Sequence, residues 1–128
     1  MDTQYFEQHQ GTGVLSTADG EGRVNSALYA RPHVFEDGTV GFIMADRLSR
    51  ANLQTNPHAA YLFLEEGRGY QGTRLQLTRV RESQDRELID TLRRRTYTPR
   101  DEERIGPLTL VYFTVDRELP LLGAGPSA

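Results

Sequence analysis

Where the apolar run that starts at Thr39 ends, the chain places Asp46, Arg47, Ser49, Arg50 and Asn52 in quick succession before a proline at position 57. Two guanidiniums, a hydroxyl and a carboxamide at this spacing are groups that grip a phosphate. Arginine can engage it through two parallel hydrogen bonds, and Ser and Asn add neutral donors. The pattern reads as a buried strand, Thr39–Ala45, handing over to a short helix that stops at Pro57. The first N–H groups of a helix lack intrahelical partners, and the positive end of its dipole points the same way, so such a start suits an anion. A plainer reading explains the same residues: Ser49 or Asp46 caps the helix while Arg47 and Arg50 lie on the surface. Both readings stay open at this stage.

The missing residue types narrow the chemistry. The chain has no Cys, which excludes thiol nucleophiles, thiolate metal sites and disulfides. None of its 15 basic residues is Lys, which excludes Schiff-base chemistry and a phosphate-loop lysine. Three widely spaced histidines, His9, His33 and His58, make a His-rich metal site an unfavourable reading. No other side chain stands out as an obligatory acid or base, so the catalytic residue is unassigned. If the chain is an enzyme, a cofactor carries the reaction. The formal charge of −3 argues against nucleic acid as a partner. No long apolar run or leader pattern is evident, which predicts a cytoplasmic protein with no membrane partner.

At 128 residues the chain is expected to form one domain over 1–128, with 123–128 as a frayed tail. Six strands are predicted. They are Val14–Ala18, Arg23–Ala30, Thr39–Ala45, Ala59–Leu64, Thr73–Arg81 and Leu108–Val115, mostly separated by Gly-rich turns. In the second, Val24, Ser26 and Leu28 share one face while Asn25, Ala27 and Tyr29 share the other. Helices are expected over Asp2–Gln10, after Ala45, and over Ser83–Tyr97, with Ser83 as N-cap of the last and Leu88, Ile89 and Leu92 as its buried stripe. The arrangement predicts a mainly β protein: a small six-stranded β-barrel, closed or nearly closed, with two or three peripheral α-helices.

The order of these pieces resembles the FMN-binding split-barrel family, also called pyridoxamine 5'-phosphate oxidase-like. The resemblance runs through Gly13-Val-Leu-Ser-Thr-Ala-Asp-Gly20, Arg23-Val-Asn-Ser26 and Asp37-Gly38. It is strongest in Arg47-Leu-Ser-Arg-Ala-Asn-Leu-Gln-Thr-Asn-Pro57 leading into Ala59–Phe63, and it covers residues 5–122. It implies a homodimer with FMN at the interface. Arg47, Ser49 and Asn52 would hold the phosphate, with Arg50 as a second candidate cation. Asn25, Ser26 and Ala27 would run beside the ring, and Met44 and Ala45 would face the ribityl–phosphate arm. Asp46 would orient Arg47 or cap the helix.

Two departures from the family pattern are visible. Arg-Leu-Ser-Arg stands where many relatives carry Ser-Arg-Lys. The C-terminal Arg and His that hold vitamin B6 in the true oxidases have no counterpart in Asp116–Gly123, so that activity is not expected. The resemblance implies an FMN-dependent oxidoreductase acting on an unidentified substrate, with a nicotinamide as one possible reductant. The alternatives are a flavin-binding electron carrier or sensor without a substrate of its own, or a relative holding F420 or haem. Haem would require His9, His33 or His58 as axial ligand.

Overall fold

The computed structural model describes residues 2–93, 100, 103 and 105–123. The sheet is antiparallel throughout: β1 (Gly11–Ala18), β2 (Val24–Leu28), β3 (His33–Val34), β4 (Val40–Ala45), β5 (His58–Glu65), β6 (Gly72–Ser83) and β7 (Leu108–Pro120). Its strand order is β2-β1-β5-β6-β7-β4-β3. The expected six strands are thus seven. Pro32 ends the run after β2, and the chain re-enters the sheet for two residues, His33 and Val34, opposite Gly41 and Val40. So short a strand leaves too little period-two pattern to be read in sequence.

The barrel is not closed. β2 and β3 are the sheet's edges and pair with each other nowhere among the described residues. The sheet is nonetheless rolled. Phe42 of β4 and Tyr61 of β5 have ring centroids 4.9 Å apart, yet three strand spacings separate their strands, about 14 Å in a flat sheet. The roll encloses a core built by alternation: Leu15, Phe42, Tyr61, Phe63, Leu75, Leu77 and Phe113 are buried with Met44. Phe6 of α1 (Tyr5–Gln8) and Leu53 of α2 (Leu48–Thr55) plug the same core. A second cluster on the other side of β4 and β7, around Ile89, Leu110 and Tyr112, is covered by α3 (Arg86–Leu92). Leu88 and Leu92 pack there as the predicted stripe required.

The N-cap of α3 is Asp85 rather than Ser83. β6 continues through Ser83, and the Asp85 carboxylate accepts from the amides of Glu87 and Leu88. The expected extension of this helix over 94–97 and the tail at 124–128 lie outside the described residues. Of the polar connection expected before Leu108, Arg100, Glu103 and Ile105 are helical. Among the described residues no helix is long and apolar enough to cross a membrane.

Candidate functional site: a cleft in the open seam

Because the sheet stops short of closing, a cleft of about 750 Å³ lies between its two margins. Gly11–Gly13 of β1 and Leu28–Arg31 form one wall; Phe42, Ile43 and Ala45 of β4, with Leu108 at the start of β7, form the other. That volume suits a drug-sized or cofactor-sized ligand. Gly13 is required where it stands: a Cβ there would lie 1.8 Å from the Tyr61 hydroxyl. Its absence lets that hydroxyl reach the Tyr29 carbonyl at 3.1 Å, tying the end of β2 to the core.

The cleft reaches Ala45, whose carbonyl accepts the Arg47 amide at 2.9 Å as the chain turns into α2. Arg47 is the N-cap residue of α2 and supplies no side-chain cap, so neither Ser49 nor Asp46 takes that role. Arg47 is exposed, and among the described residues its guanidinium makes no ion pair. Arg50 is differently placed. Its Nε lies 3.0 Å from Glu82 and its Nη1 3.5 Å from Asp46. Asp46 therefore pairs with Arg50, one helical turn on, instead of orienting Arg47. Glu82 also approaches Arg79 at 3.5 Å. Arg79 in turn donates to the Leu53 carbonyl near the negative end of α2.

Ser49 and Asn52 sit on the buried face of α2 with Leu53. The Asn52 amide donates to Thr17 Oγ1 at 3.0 Å, latching α2 to β1. Burial pushes the Tyr29 hydroxyl above the ordinary tyrosine range, and the nearby Ser49 hydroxyl opposes part of that rise. Tyr29 is thus a cleft residue beside the first turn of α2, a role its sequence position did not reveal. The signal available was the single aromatic on the Asn25–Ala27 face, just before Pro32.

The three β2 residues do not act together. Asn25 and Ala27 face inward, opposite Thr17 and Leu15; Ser26 faces outward and bonds Ser16 Oγ at 2.8 Å. Met44 is buried in the core, and Ala45 lines the cleft. The structure therefore puts Ala45 and Tyr29 in the cleft wall, with Arg47 two residues beyond Ala45, Ser49 on the buried face of α2, and Asn25 and Ala27 on the face toward α2. It places Met44 behind them and commits Arg50 and Asn52 to other partners. Of the three histidines only His33 lines the cleft; His9 stacks on Tyr5, and His58 meets Thr78 on the outer sheet. Among the described residues no group of acids and histidines is arranged to hold a metal ion.

Comparison with family models and with curated proteins finds no match. Solved structures do match. An FMN-binding protein from Syntrophomonas wolfei superposes with a TM-score of 0.75 at 19% identity, over 96% of this chain and 85% of that one. A putative pyridoxamine 5'-phosphate oxidase from Lactobacillus delbrueckii gives 0.66 at 11% identity, over 92% and 90%. HutZ, the haem storage protein of Vibrio cholerae, gives 0.66 at 17%, over 91% and 90%. At these identities the likeness is one of fold, and that fold is the split barrel to which the sequence pointed.

Proposed function

We propose that this protein binds FMN in the seam and acts as an FMN-dependent oxidoreductase of the pyridoxamine-phosphate-oxidase-like type. The observation that carries the reading is the start of α2. It is an uncapped helix N-terminus whose N-cap arginine makes no ion pair among the described residues, adjoining a cleft of cofactor size. Arg47 and the first amides of α2 would receive the phosphate, as charge and geometry both favour. Ser49 would act through Tyr29, holding the phenol against the cleft. Ala27 and Asn25 would flank the ring, and the apolar walls at Ile43 and Leu108 would exclude water from it. When bound, FMN supplies hydride or single-electron transfer, for which the chain itself has no redox side chain.

The homodimer belongs to the same proposal. Leu28, Val14 and Leu62 fall in register across β2, β1 and β5, and Leu28 is 75% exposed and Leu62 40%. Val24, on the same face, is 82% exposed. An apolar row of this kind on an outer sheet face is what an isologous contact buries. Leu28 also lines the cleft, so a second copy seated here would add a wall to the cofactor site.

The test is spectroscopic. The purified protein should carry or take up FMN with a flavin absorbance band, elute as a dimer, and lose both on Leu28→Glu. Failure to bind added FMN removes the reading. A Soret band after addition of haemin would favour the haem alternative, with His33, the histidine in the cleft, as ligand. Uptake of F420 in place of FMN would favour the deazaflavin alternative. Single-turnover reduction of bound flavin by NADH or NADPH separates an oxidoreductase from a carrier.

A further inference from the structure

A groove of about 410 Å³ lies on the outer face of the sheet and shares no lining residue with the seam cleft. Ser16, Ala18, Val24, Ala60, His58 and Asp116 line it, and no arginine does among the described residues. Asp116 is the extra residue of a β-bulge: Leu77 pairs with Val115 and Gln76 with Arg117, so nothing on β6 stands opposite it. A bulge of this kind re-aims a side chain. Here Thr78 Oγ1 donates to Asp116 Oδ2 at 2.5 Å, and Thr114 Oγ1 donates to Oδ1 at 3.0 Å. Asp19, Asp37, Asp46, Glu82 and Asp90 each sit against an arginine. Asp116 is held by hydroxyls instead, and among the described residues no cation pairs with it. Thr78 has one hydroxyl hydrogen, and Asp116 takes it. The Thr78 oxygen therefore accepts from His58 Nδ1, 3.3 Å away, which leaves Nε2 of the neutral ring as an acceptor.

We propose that this groove binds a small primary organic ammonium, its charged group meeting Asp116 and His58 Nε2 and its alkyl chain lying on Ala18, Val24 and Ala60. Two acceptors, no arginine and apolar neighbours select a cation over an anion or a neutral polar group. A flexible surface acid gains little from an ion pair, because ordering the side chains offsets the attraction. Thr78 and Thr114 have already ordered Asp116, so that cost is largely met before a ligand arrives. The chain has no lysine, so no side chain of a second copy supplies a primary ammonium here. The proposal stands apart from the flavin reading of the seam.

The test titrates n-butylammonium, 1-butanol and butyrate into the full chain and follows the methyl resonances of Ala18, Val24 and Ala60. Butylammonium should shift them at a concentration about tenfold below that needed for 1-butanol, and butyrate should not shift them. Asp116→Asn should weaken butylammonium about tenfold and leave 1-butanol unchanged. Thr78→Val keeps the charge but frees the carboxylate, and should weaken butylammonium about threefold. Val24 also belongs to the face given above to a second copy, so the titrations are repeated on Leu28→Glu, which that reading makes monomeric. A preference for butylammonium in either protein, lost in Asp116→Asn, supports the site. Equal affinity for butylammonium and 1-butanol in both proteins overturns the proposal, and so does the absence of any shift in both. Unchanged butylammonium affinity in a folded Asp116→Asn protein overturns it as well. Should that variant unfold, the comparison of the three probes on the unmutated chain decides alone.

Discussion

Two helix starts in this chain are built in opposite ways. At α3, Asp85 accepts the amides of Glu87 and Leu88 at 3.1 and 3.3 Å, and Glu87 adds a negative charge to the first turn. Such a cap is worth about 1 kcal/mol. At α2 the corresponding position is Arg47, no side chain caps it, and the first turn holds no acid. A cation there opposes the helix dipole by about 0.3–1 kcal/mol. The α3 start is self-sufficient, whereas the first amides of α2 have no side-chain acceptor, the condition in which a helix start suits an anion. α2 is meanwhile held by its other contacts: Leu53 in the core, Asn52 on Thr17 and Arg50 on Glu82. That packing lets the helix tolerate an open end.

The sharpest way to break this contrast is to give α2 the cap that α3 has. Arg47→Asp should stabilise the ligand-free protein by about 0.5–1 kcal/mol, as a cap and a favourable dipole charge replace an unfavourable one. The same change should weaken FMN about a hundredfold or more, since it removes a bidentate cation and adds an anion facing the phosphate. Thermal denaturation and flavin fluorescence titration would read the two effects, and they should have opposite signs. If FMN affinity is unchanged, the start of α2 is not the anchor. Arg50→Ala, by contrast, should lose far less affinity, because Arg50 is already engaged by Glu82 and Asp46.

A second change sharpens the claim that packing holds α2. Asn52→Ala removes the donor to Thr17, and both residues are buried. The unsatisfied hydroxyl and the small cavity should cost about 2 kcal/mol of stability. FMN affinity should fall by less than in Arg47→Asp. An Asn52→Ala protein of undiminished melting temperature would show that the latch contributes nothing.

The start of α2 was visible in the sequence; that it is uncapped, and much of what surrounds it, was not. Strand alternation, Gly-rich turns and the helix-stopping Pro57 were enough to place the handover from β4 to α2, because these are local signals. Asp85 was missed in favour of Ser83 because β6 runs longer than its alternation suggested, carried on by its pairing with β7. The partners of Arg50 and Asn52, at Glu82 and Thr17, lie more than thirty positions away in sequence, at separations of 32 and 35. Spacing along the chain carries no trace of such contacts, so four polar residues that look equivalent as a motif are unequal in space. Tyr29 was hidden for the same reason: its meaning comes from Ser49, which only the rolled sheet brings to it.

The capped end offers the complementary control. Asp85→Ala should cost about 1 kcal/mol, within the usual range for losing a helix cap. FMN affinity should not change, because α3 stands away from the phosphate anchor. A chemical denaturation midpoint beside a flavin titration checks both halves. Loss of flavin binding in Asp85→Ala would mean that the two helix starts are coupled, and the contrast between them would then lose its meaning.

The smallest effect expected is at Tyr29, where the cleft wall meets Ser49 of the first turn of α2. Burial holds the Tyr29 phenol above its ordinary value in the folded protein. A raised folded-state value means that the contribution to stability is complete below the unfolded value of about 10 and is lost as pH rises past it. Stability should therefore be flat from neutral pH to about pH 10 and decline above it. Tyr5 is raised as well, by burial first and then by its hydrogen bond to Glu65, so Tyr5 and Tyr29 should both be among the late-titrating phenols in an ultraviolet titration. Tyr29→Phe should remove one and flatten part of the alkaline decline. If Tyr29→Phe leaves the titration unchanged, the phenol is solvated.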